Sequence, residues 1–277
     1  MDKPKHDSLG DRMKAYENAT RHALPAKAYT ILRVDGRAFH TWTRGLKQPY
    51  DQDFMHCMDM AAIRLCEEIS GTQFAYVQSD EISVLAVDFL NADTQAWFDG
   101  LIQKWASVAA SIATAAFNDA VGARQSRFGK RLLATFDARV FITPATTFVN
   151  KQEQLEVVPA YVEAENYFVW RQQDAIRNSV AMLAQALASP KQLHGKKHAE
   201  QLEIVRAAGD DWARHPASFK SGRVIRRSGV AEWGSDIGEQ PYDASYVIGN
   251  WFVDADTPVF TEDRAYLQAL VQRKGSE

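Results

Sequence analysis

The chain has 277 residues, 46% hydrophobic and 24% charged, with a net charge of −3; this excludes a disordered or collagen-like polymer and allows one large core. No window approaches eighteen uncharged apolar residues, and Met1 to Asp7 lack the apolar run of a signal peptide, so no membrane partner is expected. The only cysteines, Cys57 and Cys66, stand nine apart in a helical pattern. That is neither a zinc spacing nor a disulfide framework, and it reads as reduced core thiols of a cytoplasmic protein.

Asp7 to His22 shows helical spacing, with Met13 and Tyr16 on one side, and Pro25 stops it. Ala28 to Val34 is rich in β-formers and ends at Asp35-Gly36, the pattern of a buried strand. Asp53 to Ile69 repeats apolar residues at helical spacing and closes at Gly71. Gln73 to Val77 and Ile82 to Phe89 read as strands joined by the tight turn Gln78-Ser79-Asp80-Glu81. A helix is predicted over 94–120 and a strand over 132–142. The order is then βαββαβ, the ferredoxin-like unit of an α+β fold. Farther on, 162–188 and 197–208 read as helices, with a break at Pro190, and 220–227 and 246–254 as strands. No linker interrupts the chain. Residues 1–150 are expected to form the core with its N-terminal helix, and 151–277 a helical and strand extension packed on it.

Charge is distributed in blocks. Residues 78–100 hold five acids and no base, 191–227 hold nine Lys or Arg against four acids, and 228–263 hold eight acids and no base. Such blocks are either solvated faces or separate surfaces for a polyanion and a cation. For the final acidic block, a subunit interface or packing on the basic block is expected.

In a split βαβ unit strands one and three are neighbours, so Asp35 should sit beside Asp80 and Glu81. Like charges held together force one carboxyl up in pKa unless a cation lies between them, and Mg²⁺ suits hard oxygen ligands. Gly36 allows close approach of a carbonyl or phosphate, while Arg33, Arg37, His40 and Lys47 surround the turn. This is the layout of a two-metal nucleotidyl-transfer site; the alternative is a polar turn facing water.

Arg33-Val34-Asp35-Gly36-Arg37-Ala38-Phe39-His40, Tyr76-Val77-Gln78-Ser79-Asp80-Glu81-Ile82-Ser83, Phe136-Asp137-Ala138-Arg139-Val140 and Tyr167 to Asp174 (YFVWRQQD) resemble the tRNA-His guanylyltransferase family, in the family's order. The resemblance implies a polymerase-like palm. It implies that Asp35 and Asp80, with the Gly36 carbonyl, hold two Mg²⁺, and that Asp35 to His40 with Ser79 and Asp80 line a site for GTP or another NTP. Glu81 follows as an orienting carboxylate of the catalytic set. ATP is implied as the activating substrate, tRNA as the partner, and a tetramer as the assembly.

Two departures stand out. The eukaryotic His-Ile-Asn-Asn signature is replaced within Ala175-Ile176-Arg177-Asn178-Ser179, and a basic residue before Pro49 is replaced by Gln48, with Lys47 one position away. The missing signature points to the bacterial and archaeal guanylyltransferase-like branch, which extends the 5′ ends of truncated tRNAs by templated addition. Arg171, Arg177, Asn178, Lys196, Lys197, Lys220 and Arg223 are the candidate tRNA contacts, the bases through phosphates. Tyr167, Phe168 and Trp170 read as core, with base stacking as the alternative. A palm-type nucleotide cyclase and an RRM-like RNA-binding module share the strand order; the second would expose aromatics such as Tyr76 and Phe136 on its sheet.

Overall fold

Seven antiparallel strands form one sheet, in the order 136–142, 29–36, 81–87, 72–78, 223–227, 251–254 and 246–248. The computed structural model describes residues 8–91, 93–129, 131–228 and 245–273. The ferredoxin-like unit supplies β1 (Tyr29–Gly36), β2 (Thr72–Gln78), β3 (Glu81–Val87) and β4 (Phe136–Ile142). The later chain adds β7 (Arg223–Arg227), β8 (Tyr246–Ile248) and β9 (Trp251–Asp254) beside β2. The second half is therefore partly built into the same sheet, because β7 pairs with β2 from Phe74↔Arg226 to Val77↔Arg223.

Both faces of the sheet are covered, so its central strands read as nearly continuous apolar runs. On one face Leu32, Val34, Ile82 and Val84 pack under α3 (Gln52–Glu68) and α4 (Ile102–Ala123). On the other, Tyr29, Ile31, Phe74 and Leu85 pack under Phe168 and Ala175 of α6 (Ala160–Leu187). Asp51 caps α3 by accepting from the Phe54 N–H at 3.0 Å. Cys57 and Cys66 are free and buried in the α3 core. Burial pushes the Cys57 thiol up to about 12, and Cys66 likewise upward.

Several sequence expectations are corrected. The helix predicted from Thr94 begins at Ile102. Before it, Phe98 and Asp99 are left-handed, and Gly100 sits so close to Leu24 that a Cβ would lie 2.9 Å from that carbonyl oxygen. The pairing of Ala23 with Leu101 imposes this turn against local helix propensity. The strand predicted from Leu132 begins at Phe136, because Phe136 pairs with Gly36, the last residue of β1; Leu132 and Leu133 are exposed. Pro190 starts the short α7 (Pro190–Leu193) behind the Ser189 cap, as proline in a first turn can. Residues 246–254 turn at Gly249 into two strands.

Also unforeseen were the hairpin β5 (Thr146–Val149) and β6 (Leu155–Val158), and the short helices α5 (Gln125–Phe128), α9 (Ala217–Lys220) and α10 (Arg264–Leu270). The predicted first helix is α1 (Ser8–Asn18), whose Met13 and Tyr16 are exposed rather than packed. The last long one, α8, spans His198–Ala207. Part of the acidic block, β9, pairs with basic β7; residues 229–244 of that block lie outside the described residues. Among the described residues no helix is long and apolar enough to cross a membrane.

Candidate active site

The end of β1 and the β2–β3 turn meet at one edge of the sheet. Asp35 stands opposite Glu81 in the β1–β3 register, and the Gly36 N–H donates to the Asp80 carbonyl at 3.0 Å. Ser79 takes a positive φ of 47° in the two-residue turn and donates its hydroxyl to Asp80 Oδ1 at 3.1 Å. Burial pushes the Asp80 carboxyl above its ordinary value, and the charges of Asp35 and Glu81 push the same way.

The turn after β1 is anchored from beneath. Ala38 has φ 57° and leads into α2 (Phe39–Trp42). The Phe39 ring is buried among Trp42, Phe54, Phe117 and Phe136, with centroids 5.0–6.0 Å away. A Cβ on Gly36 would lie 2.4 Å from Phe39 Cδ2, so only glycine fits between strand and ring. Above the turn lies a cleft of about 480 Å³, lined by Gly36, Ala38, Phe39, His40, Lys47, Ser79 and Asp80 together with Tyr50, Met182 and Gln185. The sequence had singled out the first seven; Tyr50 and the two α6 residues carry no local signal. Asp35 and Arg37 are chain neighbours of this lining without belonging to it. A recess of about 50 Å³ adjoins the cleft through Tyr50, Ser79 and Met182 and reaches Asn178, Ser218 and Arg223.

Glu81 faces the α6 side. Arg171 donates to both its oxygens, Nε to Oε1 at 2.7 Å and Nη2 to Oε2 at 2.9 Å, and Arg33 Nε lies 3.8 Å from Oε2. Asp137 on β4 stands opposite Asp35, a third carboxylate in register that the sequence reading left without a role. Among the described residues no group of three or more His, Cys, Asp or Glu side chains is arranged to hold a metal. The oxygens on hand are those of Asp35, Asp80 and the Gly36 carbonyl. That hard donor set, with the Asp80 carboxyl pushed up by burial and further by the charges of Asp35 and Glu81, and room for no side chain at Gly36, fits Mg²⁺ completed by phosphate oxygens.

A family model described as tRNAHis guanylyltransferase matches residues 10–144. A solved bacterial tRNA(His) guanylyltransferase-like protein in complex with ATP is 35% identical, with a TM-score of 0.78, and covers 96% of this chain and 100% of that one. The chain belongs to the tRNA-His guanylyltransferase family. A bacterial tRNA(His) guanylyltransferase-like protein in complex with GTP is 34% identical over the same shares, with a TM-score of 0.69. A probable tRNA(His) guanylyltransferase of Dictyostelium discoideum is 24% identical over 231 residues, 78% of this chain and 81% of that one. As a tRNA-His guanylyltransferase family member, the protein is a nucleotidyltransferase with the palm-like core of its relatives.

The structure separates the seven candidate tRNA contacts. Arg171 is 5% and Arg223 2% exposed, so neither presents a guanidinium to phosphate. Arg171 is spent on Glu81, and Arg223 is paired with buried Asp59 at 2.7 Å, an ion pair that fastens β7 to α3. Tyr246 donates to the same Asp59, and neighbouring His56 is driven down to about 3 by burial and nearby arginines. Arg177 and Asn178 are exposed and reach Asp174 at 3.1 and 3.4 Å. Lys196 pairs with Glu200 at 2.9 Å, Lys197 is exposed, and Lys220 donates to the Ala213 carbonyl at 2.8 Å. Tyr167 and Phe168 are core, while Trp170 is half exposed. Tyr76 is fully buried and Phe136 nearly so, which removes the open aromatic sheet of an RRM-like module.

Proposed function

We propose that the protein adds nucleotides to the 5′ end of tRNA, in the 3′-to-5′ direction, in the cleft between the Gly36–His40 turn and Ser79–Asp80. The observation that carries this is the β1–β3 register, which sets Asp35 against Glu81 and the Gly36 N–H on the Asp80 carbonyl. Two bacterial relatives bear ATP and GTP in their solved complexes, and both classes of nucleotide are the proposed substrates here.

The 5′-phosphate of tRNA would attack the α-phosphorus of ATP and release pyrophosphate. The 3′-hydroxyl of GTP or another NTP would then attack the tRNA 5′-phosphorus and displace AMP, after which water would hydrolyse the new 5′-triphosphate between its α- and β-phosphates, releasing pyrophosphate and leaving a 5′-monophosphate. Two Mg²⁺ ions, held by Asp35, Asp80 and the Gly36 carbonyl, would neutralise the triphosphate and lower the pKa of the attacking hydroxyl. The chain itself supplies position and charge, which carry most of phosphoryl transfer. Lys47 and His40 reach the triphosphate from the cleft wall, and Ser79 orients Asp80. Exposed Arg177, Lys196 and Lys197 hold tRNA phosphates.

With the eukaryotic signature replaced around Arg177 and Asn178, the preferred job is templated repair of truncated tRNAs rather than addition to tRNA-His alone. The assembly is proposed to be a homo-oligomer. Phe148, Val149, Leu155 and Val157 are exposed on the isolated β5–β6 hairpin, and a two-stranded hairpin is marginal without cover. End-labelled tRNA with Mg²⁺ and each NTP tests the function; incorporation that follows the opposing 3′-strand base is expected. Nucleotide cyclisation without tRNA would replace this reading by a palm-type cyclase.

A further inference from the structure

We propose that Arg171 is a positioning residue for nucleotide transfer and acts through Glu81. The proposal rests on the reading that Asp35 and Asp80 form the reacting centre. Arg171 comes from the middle of α6, across the sheet from α3, and meets Glu81 ninety residues earlier in the chain. Its fork takes both Glu81 oxygens, at 2.7 and 2.9 Å. Paired in this way, Glu81 stays out of the cleft lining, and the guanidinium offsets part of the charge it presents to Asp80.

The backbone explains why that matters. Glu81 closes the β2–β3 turn by pairing with Gln78 and stands opposite Asp35 on β1. Holding its side chain therefore holds both the turn that carries Asp80 and the strand end that carries Asp35. Asp174 steadies Arg171 from its other side at 3.0 Å, and Trp170 lies 4.6 Å from the guanidinium. Ser83 links Glu81 Oε1, at 3.4 Å, to the Tyr167 hydroxyl at 3.0 Å, so α6 grips the turn at a second point. Arg33 Nε, buried without a hydrogen-bond partner, approaches Glu81 at 3.8 Å. Buried ion pairs of this kind seldom stabilise a fold more than well-packed apolar residues would. This one stands beside Asp80, where geometry governs rate.

The test uses the full-length protein, tRNA with a 5′-triphosphate end, and the variants Arg171→Met, Arg171→Lys, Glu81→Gln and Arg171→Met/Glu81→Gln. Arg171→Met should lower kcat by about tenfold or more and leave the NTP KM within about threefold. Glu81→Gln should do the same, and the double variant should be no worse than the weaker single by more than about threefold, because residues that act as a unit are not additive. Arg171→Lys keeps charge without the fork and should stay near Arg171→Met. Multiplying losses in the double variant, or an unchanged kcat in Arg171→Met, would overturn the proposal. If Arg171→Met melts below the assay temperature, wild-type kcat in Arg171→Lys overturns it instead. Asp80→Asn runs alongside: an active Asp80→Asn removes the reacting centre itself, whereas an inactive one with multiplying losses removes only the positioning role.

Discussion

Replacing Gly36 by Ala should damage stability and nucleotide binding together. The added Cβ would lie 2.4 Å from Phe39 Cδ2 and 2.7 Å from Cε2 and Cγ. Carbon atoms pack at roughly 3.5–4.0 Å, so the ring must retreat by about 1 Å. It cannot retreat freely, because Trp42, Phe54, Phe117 and Phe136 surround it and it is 3% exposed. Overpacking of this sort costs about 1–3 kcal/mol. In a chain of this size each kcal/mol moves the melt by roughly 2–4 °C, so Tm should fall by roughly 2–12 °C. The strain that is not absorbed by the ring moves the Ala38–His40 turn, which lines the cleft. A misplacement of about 1 Å there should weaken binding of a fluorescent GTP analogue by an order of magnitude or more. Calorimetry and a fluorescence titration read the two effects. Gly36→Ala/Phe39→Leu, with a smaller side chain under the turn, should recover part of the lost Tm. An unchanged melt and an unchanged Kd in Gly36→Ala would refute the close-packing argument.

Asp80→Asn should abolish nucleotide addition yet melt no lower than the parent at neutral pH; retained activity would reject Asp80 as a metal ligand. The sign follows from its raised carboxyl pKa: Asp80 holds its proton more tightly in the fold than in the unfolded chain, so it subtracts stability as pH rises through the ordinary carboxylate range. The gap between the two melts should close as pH falls below about 4. Arg223→Ala strands the buried Asp59 carboxylate and should cost about 3–5 kcal/mol in a denaturant titration. By contrast, Lys196→Ala/Lys197→Ala should keep the melt and reduce the salt slope of tRNA binding by up to about two; an unchanged slope would make these lysines solvated bystanders. tRNAs of several identities lacking the first 5′ nucleotide should show kcat/KM at least equal to that of intact tRNA-His, and a strong preference for intact tRNA-His with GTP alone would reject repair. Val157→Asp should shift the sedimentation coefficient toward a smaller species, and no shift would remove the β5–β6 hairpin from the assembly.

The βαββαβ core was legible because apolar periodicity and turn residues are local signals. The same holds for the meeting of Asp35 with Asp80, since strand order in a split βαβ unit follows from connectivity. The turn glycine and the Ser79-Asp80 hairpin could be read for the same reason. Misreadings arose where a distant partner outweighed local preference. Residues 94–101 look helical alone, but Ala23 and Leu24 draw the chain into a left-handed turn at Phe98 to Gly100. Leu132 and Leu133 look like strand, but β1 has no residue left to pair with them. Charge was the least legible property. As basic residues Arg171 and Arg223 look no different in sequence from Arg177, Lys196 or Lys197, and the charge itself carries no local mark of burial. Their partners, Glu81 and Asp59, lie 90 and 164 residues away. Only the packing of α6 and β7 onto the core decided that these two arginines hold carboxylates while Lys196 and Lys197 face solvent. A long-range ion pair depends on which surfaces meet, and that is settled by the whole fold rather than by any stretch of it.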